Sequence, residues 1–369
     1  MCRLKQRHHL QDSFFRAIFD GVQSTCLHLI INRSNLLQDA RDQLLNKPGH
    51  QLSKQLRISF VGEEGVDEGG LKKEFFQLCF HEIFSFSRNF KEIENSLFWF
   101  NDELEEDAED ADYTSDFMFF GILLALAIYN GVLVAPRFPL LLFKKLLNFP
   151  LQLDDYSEID PIMVRSLNHL AVSRVDGLFH VVPGKEIELI PFGSNVPVTP
   201  ENKLNFINLL SEYFLKTLTN WQFEAFRSGF ELISGGSVIY GYRPDELFSL
   251  TYGTDNFDLK DLQCIVTYDG GCSENDQQII WLWTVLIHKF TKEEQSQFLS
   301  FVTGSSRAPL GGLVKLKSFT ITKIPGDSDR LPSAHTCFNT LLLPQYSAFD
   351  KLESKLRLAI KHNQGFGLI

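Results

Sequence analysis

The sequence predicts an α+β chain of two or three compact units. Three observations support this. At 369 residues and roughly 150 residues per domain, there is material for more than one core. Apolar positions recur at helical spacing through much of the first 250 residues, and strand-like runs follow beyond residue 310. Helical periodicity stops at Leu250–Asp255 (LTYGTD), which makes Gly253 the candidate linker. Hydrophobic residues at 44%, charged residues at 22% and 34 phenylalanines exclude disordered, collagen-like and disulfide-stapled classes.

Leu56, Ile58 and Phe60 alternate with Arg57, Ser59 and Val61, as in a half-buried strand. Glycines at 62, 65, 69 and 70 then bracket Glu63, Glu64, Asp67 and Glu68. This spacing is not that of a calcium loop, and the carboxylates read as turn residues and helix N-terminal anions. Leu71, Phe75, Leu78 and Cys79 continue at helical spacing. Asp102 to Asp116 holds nine carboxylates and no Lys or Arg, which reads as a solvated loop or insertion. That run accounts for most of the formal charge of -11, leaving the rest of the chain near neutral. No basic stripe is present, so no nucleic-acid partner is expected.

Phe117 to Pro136 runs 20 residues without a charge, enough to span a membrane. Asn130-Gly131 and Pro136 interrupt it, so it reads as a buried helix and no membrane span is expected. Phe138 to Leu147 predicts a short helix closed by Phe149-Pro150. Asp160 and Pro161 predict the start of another, with Met163, Leu167 and Leu170 on one face. Residues 177–198 read as irregular strands and turns. Thr199 is the expected cap of a helix with a stripe of Leu204, Ile207, Leu210 and Phe214. Trp221, Phe226, Phe230 and Ile233 continue helical spacing, with Gly229 as a weak point.

Beyond the linker, Asp276 to Phe290 predicts an apolar helix. Thr291 and Glu294 form a capping-box pattern for the next, with Phe298 and Phe301 inward. Lys317–Lys323 and Phe338–Leu343 read as strands. Ser347 and Asp350 open a last helix with Leu352, Leu356, Ala359 and Ile360 inward, and Gly365 as its stop.

The six cysteines show no CxxC pair and no zinc-finger spacing, so no structural metal site is expected. Free thiols fit a reducing compartment, and Met1 to Leu10 carries no apolar signal core; cytoplasmic or nuclear location is the expectation. Cys337 differs in its setting. SAHTCFN (Ser333 to Asn339) places it in a polar loop before an apolar strand, where backbone amides and His335 would favour the thiolate. Spacing alone leaves a reactive thiol and a structural one both open. A cysteine peptidase is a rival, but no local pattern singles out its histidine.

Six segments carry a resemblance: FVGEEGVDEGGLKKEFF (Phe60 to Phe76), GILLALAIYN (Gly121 to Asn130), FPLLLFKKLL (Phe138 to Leu147), VTPENKLNFI (Val198 to Ile207), FVTGSSRAPLGGL (Phe301 to Leu313) and LPSAHTCFNTLLLPQYS (Leu331 to Ser347). In this order they resemble the signature segments of HECT-type ubiquitin ligases, over nearly the whole chain from about residue 30. The resemblance implies a bilobal HECT fold: a large, mainly helical N-lobe at 31–252, a flexible hinge at Gly253, Thr254 and Asp255, and a smaller α/β C-lobe at 256–369, after an N-terminal extension at 1–30.

The resemblance also implies that Cys337 takes ubiquitin from a ubiquitin-conjugating enzyme (E2) as a glycyl thioester and passes it to a lysine of a protein substrate, an exchange that needs no metal, ATP or other cofactor at this protein. His335, Thr336 and Asn339 would support it, and Phe366, four places from the end, would assist transfer to the lysine. The E2 groove would lie in a subdomain at about 140–215, against Met163, Leu167, Leu170, Phe206 and Leu210. Two departures stand out: Cys272 occupies a position where the family usually has tyrosine, and the acidic run is unusually dense. The alternative from another class is an inactive HECT-fold adaptor that binds E2 enzymes without transfer.

Overall fold

The computed structural model describes residues 26–63, 70–106, 112–234, 241–327 and 329–362. In chain order the main elements begin with β1 (Cys26–Ile31), α1 (Leu36–Leu45), β2 (Gln55–Phe60), α2 (Gly70–Phe86), β3 (Phe90–Ile93), β4 (Leu97–Phe100) and α3 (Tyr113–Asn130). Next come α4 (Leu140–Leu146), α5 (Pro161–Val172), α6 (Lys203–Glu212), α7 (Asn220–Ser234) and α8 (Pro244–Tyr252). The remainder is β5 (Val266–Asp269), α9 (Gln277–Thr284), α10 (Lys292–Thr303), β6 (Phe319–Asp327), β7 (Ser333–His335), β8 (Thr340–Gln345) and α11 (Phe349–His362). The α+β class is as expected. The chain divides into two compact units, one from the described residues of 1–82, 126–135 and 246–369, the other from 83–125 and 136–245.

In the first unit β1 and β2 pair in parallel, burying Leu27, Leu29 and Ile31 beside Leu56, Ile58 and Phe60. The alternation expected around Leu56–Phe60 is therefore met. A four-stranded sheet of order β5-β6-β8-β7 carries the C-terminal part, with β5, β6 and β8 mutually parallel and β7 antiparallel to β8. Its core joins Leu282 and Leu286, Phe298 and Val302, Ile321, Leu341 and Leu343 to Leu352 and Leu356 of α11. The Thr291 capping box forms as expected: its side chain accepts the Glu294 N–H at 3.2 Å, and the Glu294 carboxylate accepts the Thr291 N–H at 3.0 Å. Strand β8 begins at Thr340 rather than Phe338, whose side chain is exposed.

The phenylalanine content finds its use in the second unit. Phe84, Phe90, Phe98, Phe100, Phe117 and Phe138 meet through ring contacts 4.6–6.1 Å apart. Among the described residues, α3 is the one helix long and apolar enough to cross a membrane, and Phe117, Phe119, Ile122, Leu123 and Leu126 on it are buried in the fold.

Gly229, expected to weaken α7, instead permits a close crossing. A Cβ there would overlap the Met118 carbonyl oxygen, and one at Gly121 would overlap the Phe226 carbonyl oxygen. The two helices meet backbone to backbone at reciprocal glycines. Asp160 caps α5 as expected, accepting the Met163 N–H at 2.8 Å, with Pro161 in the first turn.

Thr199 does not cap α6. It opens a turn in which its carbonyl accepts from Asn202 and Lys203, and the helix starts only at Lys203. Leu204 consequently faces solvent, while Phe206, Ile207 and Leu210 turn inward. The acidic run is not wholly a solvated loop. Asp102 is sheltered and ion-paired with Lys91 and, at 3.6 Å, with Lys185, while Asp116 lies in the first turn of α3. Residues 107–111 and Gly365 lie outside the described residues.

Candidate active site

Cys337 sits on a single 3-10 turn, Thr336–Phe338, between β7 and β8 of the first unit. Asn339 closes the turn in the left-handed region, with φ 50° and ψ 46°, a conformation that Asn tolerates better than most residues. It is buried and tied on three sides. Its Nδ2 donates to the Ser318 carbonyl at 3.0 Å, its own carbonyl accepts the Thr320 N–H at 3.1 Å, and its Oδ1 accepts from Lys73 Nζ at 2.7 Å. The same ammonium donates to the Thr336 carbonyl at 2.8 Å. Lys73, on α2, thus bridges the residues on either side of the cysteine.

Helix α2 supplies more than one contact. A Cβ on Gly70 would lie 2.5 Å from the Phe338 ring, so the exposed ring rests directly on the start of the helix and a larger residue there would displace it. Gly304, which follows α10 with φ +71°, lies against the Gln77 side chain, and a Cβ there would come 3.6 Å from Thr336 Cβ. Gly70, Lys73 and Gln77 recur at helical spacing, so one face of α2 meets the cysteine turn.

The thiol is free and half-buried. Burial, first, and the Glu74 carboxylate, second, push it above the ordinary thiol range; the Lys73 ammonium and a hydrogen bond with the Thr336 side chain pull the other way. Burial in turn lowers Lys73 to about 8, against the opposing charge of Cys337. Glu74 is held by Arg33 at 2.7 Å, and Arg33 also pairs with Glu63. His335 is exposed, and the groups that favour the thiolate are Lys73 and Thr336 rather than His335.

Among the other residues singled out in the sequence, Phe366 lies outside the described residues. Leu167, Phe206 and Leu210 are brought together with Met163 and Leu170 in one small core of the second unit. The first three are buried and hold that cluster from inside, whereas Ile162, Val172, Leu204, Phe179 and Phe192 are among the exposed apolar side chains nearby in sequence.

Gly253 has φ +74° and lies tight against the Ala308 carbonyl. Thr254 exchanges two backbone hydrogen bonds with Ala308, each 2.8 Å. Arg307 donates to the Gly253 carbonyl at 3.2 Å and lies 3.8 Å from the Asp255 carboxylate. Among the described residues no group of three or more His, Cys, Asp or Glu is arranged to hold a metal ion.

A family model described as HECT-domain (ubiquitin-transferase) matches residues 74–369, from α2 through the cysteine turn to the end of the chain. The chain belongs to the HECT-domain family. Curated relatives agree. A human protein named probable E3 ubiquitin-protein ligase HERC4 is 35% identical over 97% of this chain and 34% of its own length. A mouse protein named probable E3 ubiquitin-protein ligase HECTD2 is 32% identical over 98% of this chain and 49% of its own. The E3 ubiquitin-protein ligase pub3 of Schizosaccharomyces pombe is 32% identical over 91% and 44%. The chain therefore spans from about a third to a half of the HECT relatives it matches.

Lys73 is the site residue that sequence reading missed, although it stands inside a quoted HECT segment. A signal was present: Lys72 and Lys73 fall near the N-terminus of a helix, where the backbone dipole disfavours cations.

Proposed function

We propose that this HECT domain accepts ubiquitin from a conjugating enzyme as a thioester on Cys337 and transfers it to lysines of protein substrates. The observation that carries this reading is a free, half-buried thiol on a braced turn, at the HTCFN cysteine of a chain that belongs to the family.

In the first step the Cys337 thiolate attacks the carbonyl carbon of the donor thioester. The new C–S bond forms as the bond to the donor cysteine breaks, and the departing thiolate takes up a proton to replace the one Cys337 released. One thioester replaces another, so the step is nearly isoenergetic and depends on a thiolate held at the right place. In the second step the neutral amine of a substrate lysine attacks the same carbon. The amide C–N bond forms, the C–S bond breaks, Cys337 leaves as thiolate and the amine's proton passes to solvent.

Thr336 and Asn339 act by fixing the turn, and Phe366 by assisting the second step. The conjugating enzyme docks on the subdomain around α5 and α6, and Gly253 to Asp255 is the hinge of a bilobal HECT arrangement that lets one cysteine serve both steps. The test is incubation with an activating enzyme, a conjugating enzyme, ATP and ubiquitin. A thiol-sensitive ubiquitin adduct that Cys337→Ala abolishes supports the proposal. Its absence with several conjugating enzymes that still bind the chain would make the protein an adaptor.

A further inference from the structure

We propose that Lys73 is the positioning residue of the nucleophile: from α2 its ammonium holds Thr336 and Asn339 on either side of Cys337 and supplies the positive charge against which the thiolate forms. This deepens the reading of Cys337 as ubiquitin acceptor and rests on it.

The placement of the lysine is the first argument. It lies near the N-terminus of a 17-residue helix and is largely withdrawn from water, two circumstances that disfavour an ammonium. What offsets them is a pair of short hydrogen bonds, 2.8 Å to the Thr336 carbonyl and 2.7 Å to Asn339 Oδ1. Both acceptors are neutral. Lys73 is therefore satisfied geometrically without being neutralised, and its charge remains available to the thiol. A carboxylate in place of Asn339 would have consumed it.

Rigidity is the second argument. Asn339 uses its other arm on the Ser318 carbonyl at 3.0 Å, and its backbone is bound to Thr320. The ammonium is thus referred to the start of the paired strands β6 and β8 and not to a free loop. The charged groups around the thiol are few. On α2 they are Lys73 and Glu74, the latter offset by Arg33; β7 contributes the exposed His335; residues 295–306, on α10 and just beyond it, contain no charged side chain. Wherever this contact between α2 and the cysteine turn is in place, the ammonium form of Lys73 stabilises Cys337 as thiolate.

The test is the pH profile of Cys337 alkylation by iodoacetamide, followed on the Cys337 peptide by mass spectrometry, with the exposed Cys264 of the same samples as internal reference. Lys73→Met should slow Cys337 about tenfold at pH 7.5, the equivalent of about one pH unit in the thiol, while leaving Cys264 unchanged. Lys73→Arg should restore most of the rate. Glu74→Gln, with the far-UV circular dichroism and melting point of wild type, should move the profile to lower pH.

Unfolding cannot imitate the slow variant, because it would release Cys337 from burial and speed alkylation. A Lys73→Met profile that superimposes on wild type, or a Lys73→Arg variant as slow as Lys73→Met, overturns the proposal. Alkylation needs no ubiquitin, so failure of Cys337 to accept ubiquitin and failure of Lys73 to tune it are read separately.

Discussion

Asn339 offers the most direct test of how the cysteine turn is held. Replacing it with alanine removes the acceptor for Lys73 and the donor to Ser318, and puts a β-carbon residue at φ 50° without the local hydrogen bonding that makes Asn tolerable there. A neutral hydrogen bond contributes about 1 kcal/mol, one to a charged group about 2 kcal/mol, and the left-handed backbone costs alanine about 1 kcal/mol. The loss is thus about 3–4 kcal/mol, concentrated on the turn. Asn339→Gly loses the same side-chain bonds but not the backbone term, and should be milder by about 1 kcal/mol.

Two measurements report this. Amide hydrogen exchange over 336–340 should accelerate strongly in Asn339→Ala and less in Asn339→Gly. Single-turnover formation of the Cys337 adduct should fall by at least tenfold in Asn339→Ala, with Asn339→Gly between it and wild type. Adduct formation within twofold of wild type in both variants, despite faster exchange, would refute the argument that the turn must be held for the thiol to react.

Other expectations concern parts of the chain away from the thiol. Gly229→Ala adds a methyl group into the Met118 carbonyl at the α3–α7 crossing; the gain in helix propensity of about 1 kcal/mol is outweighed, and the melting temperature should drop by several degrees. An unchanged melting temperature would deny the close crossing. Thr254→Pro removes the N–H that bonds Ala308, and should lower transfer while nearly preserving conjugating-enzyme binding. If binding falls in parallel, or neither quantity changes, the hinge proposal is wrong. Serine at the acidic run, sparing the ion-paired Asp102 and the helical Asp116, should leave thioester formation unchanged at physiological salt; a large loss would tie the run to the encounter with the conjugating enzyme.

What could be read directly from sequence was local. The Thr291–Glu294 box, the Asp160 cap and the alternation in β2 each depend on residues within one turn or one strand, and each formed as expected. Thr199 failed because its neighbour Asn202 offers a competing turn, with Oδ1 accepting the Thr199 N–H at 2.8 Å. Gly229 was misjudged because propensity counts only its own helix, whereas its role is defined by the backbone of α3. Leu167, Phe206 and Leu210 share a stripe pattern with any groove, and only packing distinguishes the inside of the small cluster from its outer face. The HTCFN turn was legible as a motif. Its brace was not, because Lys73 reaches it from the far end of the chain.

The pH dependence of the thiol brings these elements together. Cys337 lies above the ordinary thiol range, so at neutral pH most molecules carry the unreactive thiol and the thiolate fraction should rise about tenfold per pH unit. Between pH 6.5 and 7.5 the alkylation rate of Cys337 should follow that slope. Above it a second effect enters. As pH passes through about 8, Lys73 begins to lose its proton, the thiolate loses its counter-charge, and ionisation of Cys337 becomes harder. The slope should then flatten well before the thiol is fully ionised. Arginine keeps its proton across the whole range, so Lys73→Arg should preserve the steep slope to higher pH and cross above wild type there. A wild-type profile already flat from pH 6.5 would mean that the thiol is ionised at neutrality, and that burial and Glu74 do not dominate its environment. Coincident curves for wild type and Lys73→Arg above pH 8 would mean that the charge on residue 73 is not what the thiolate feels.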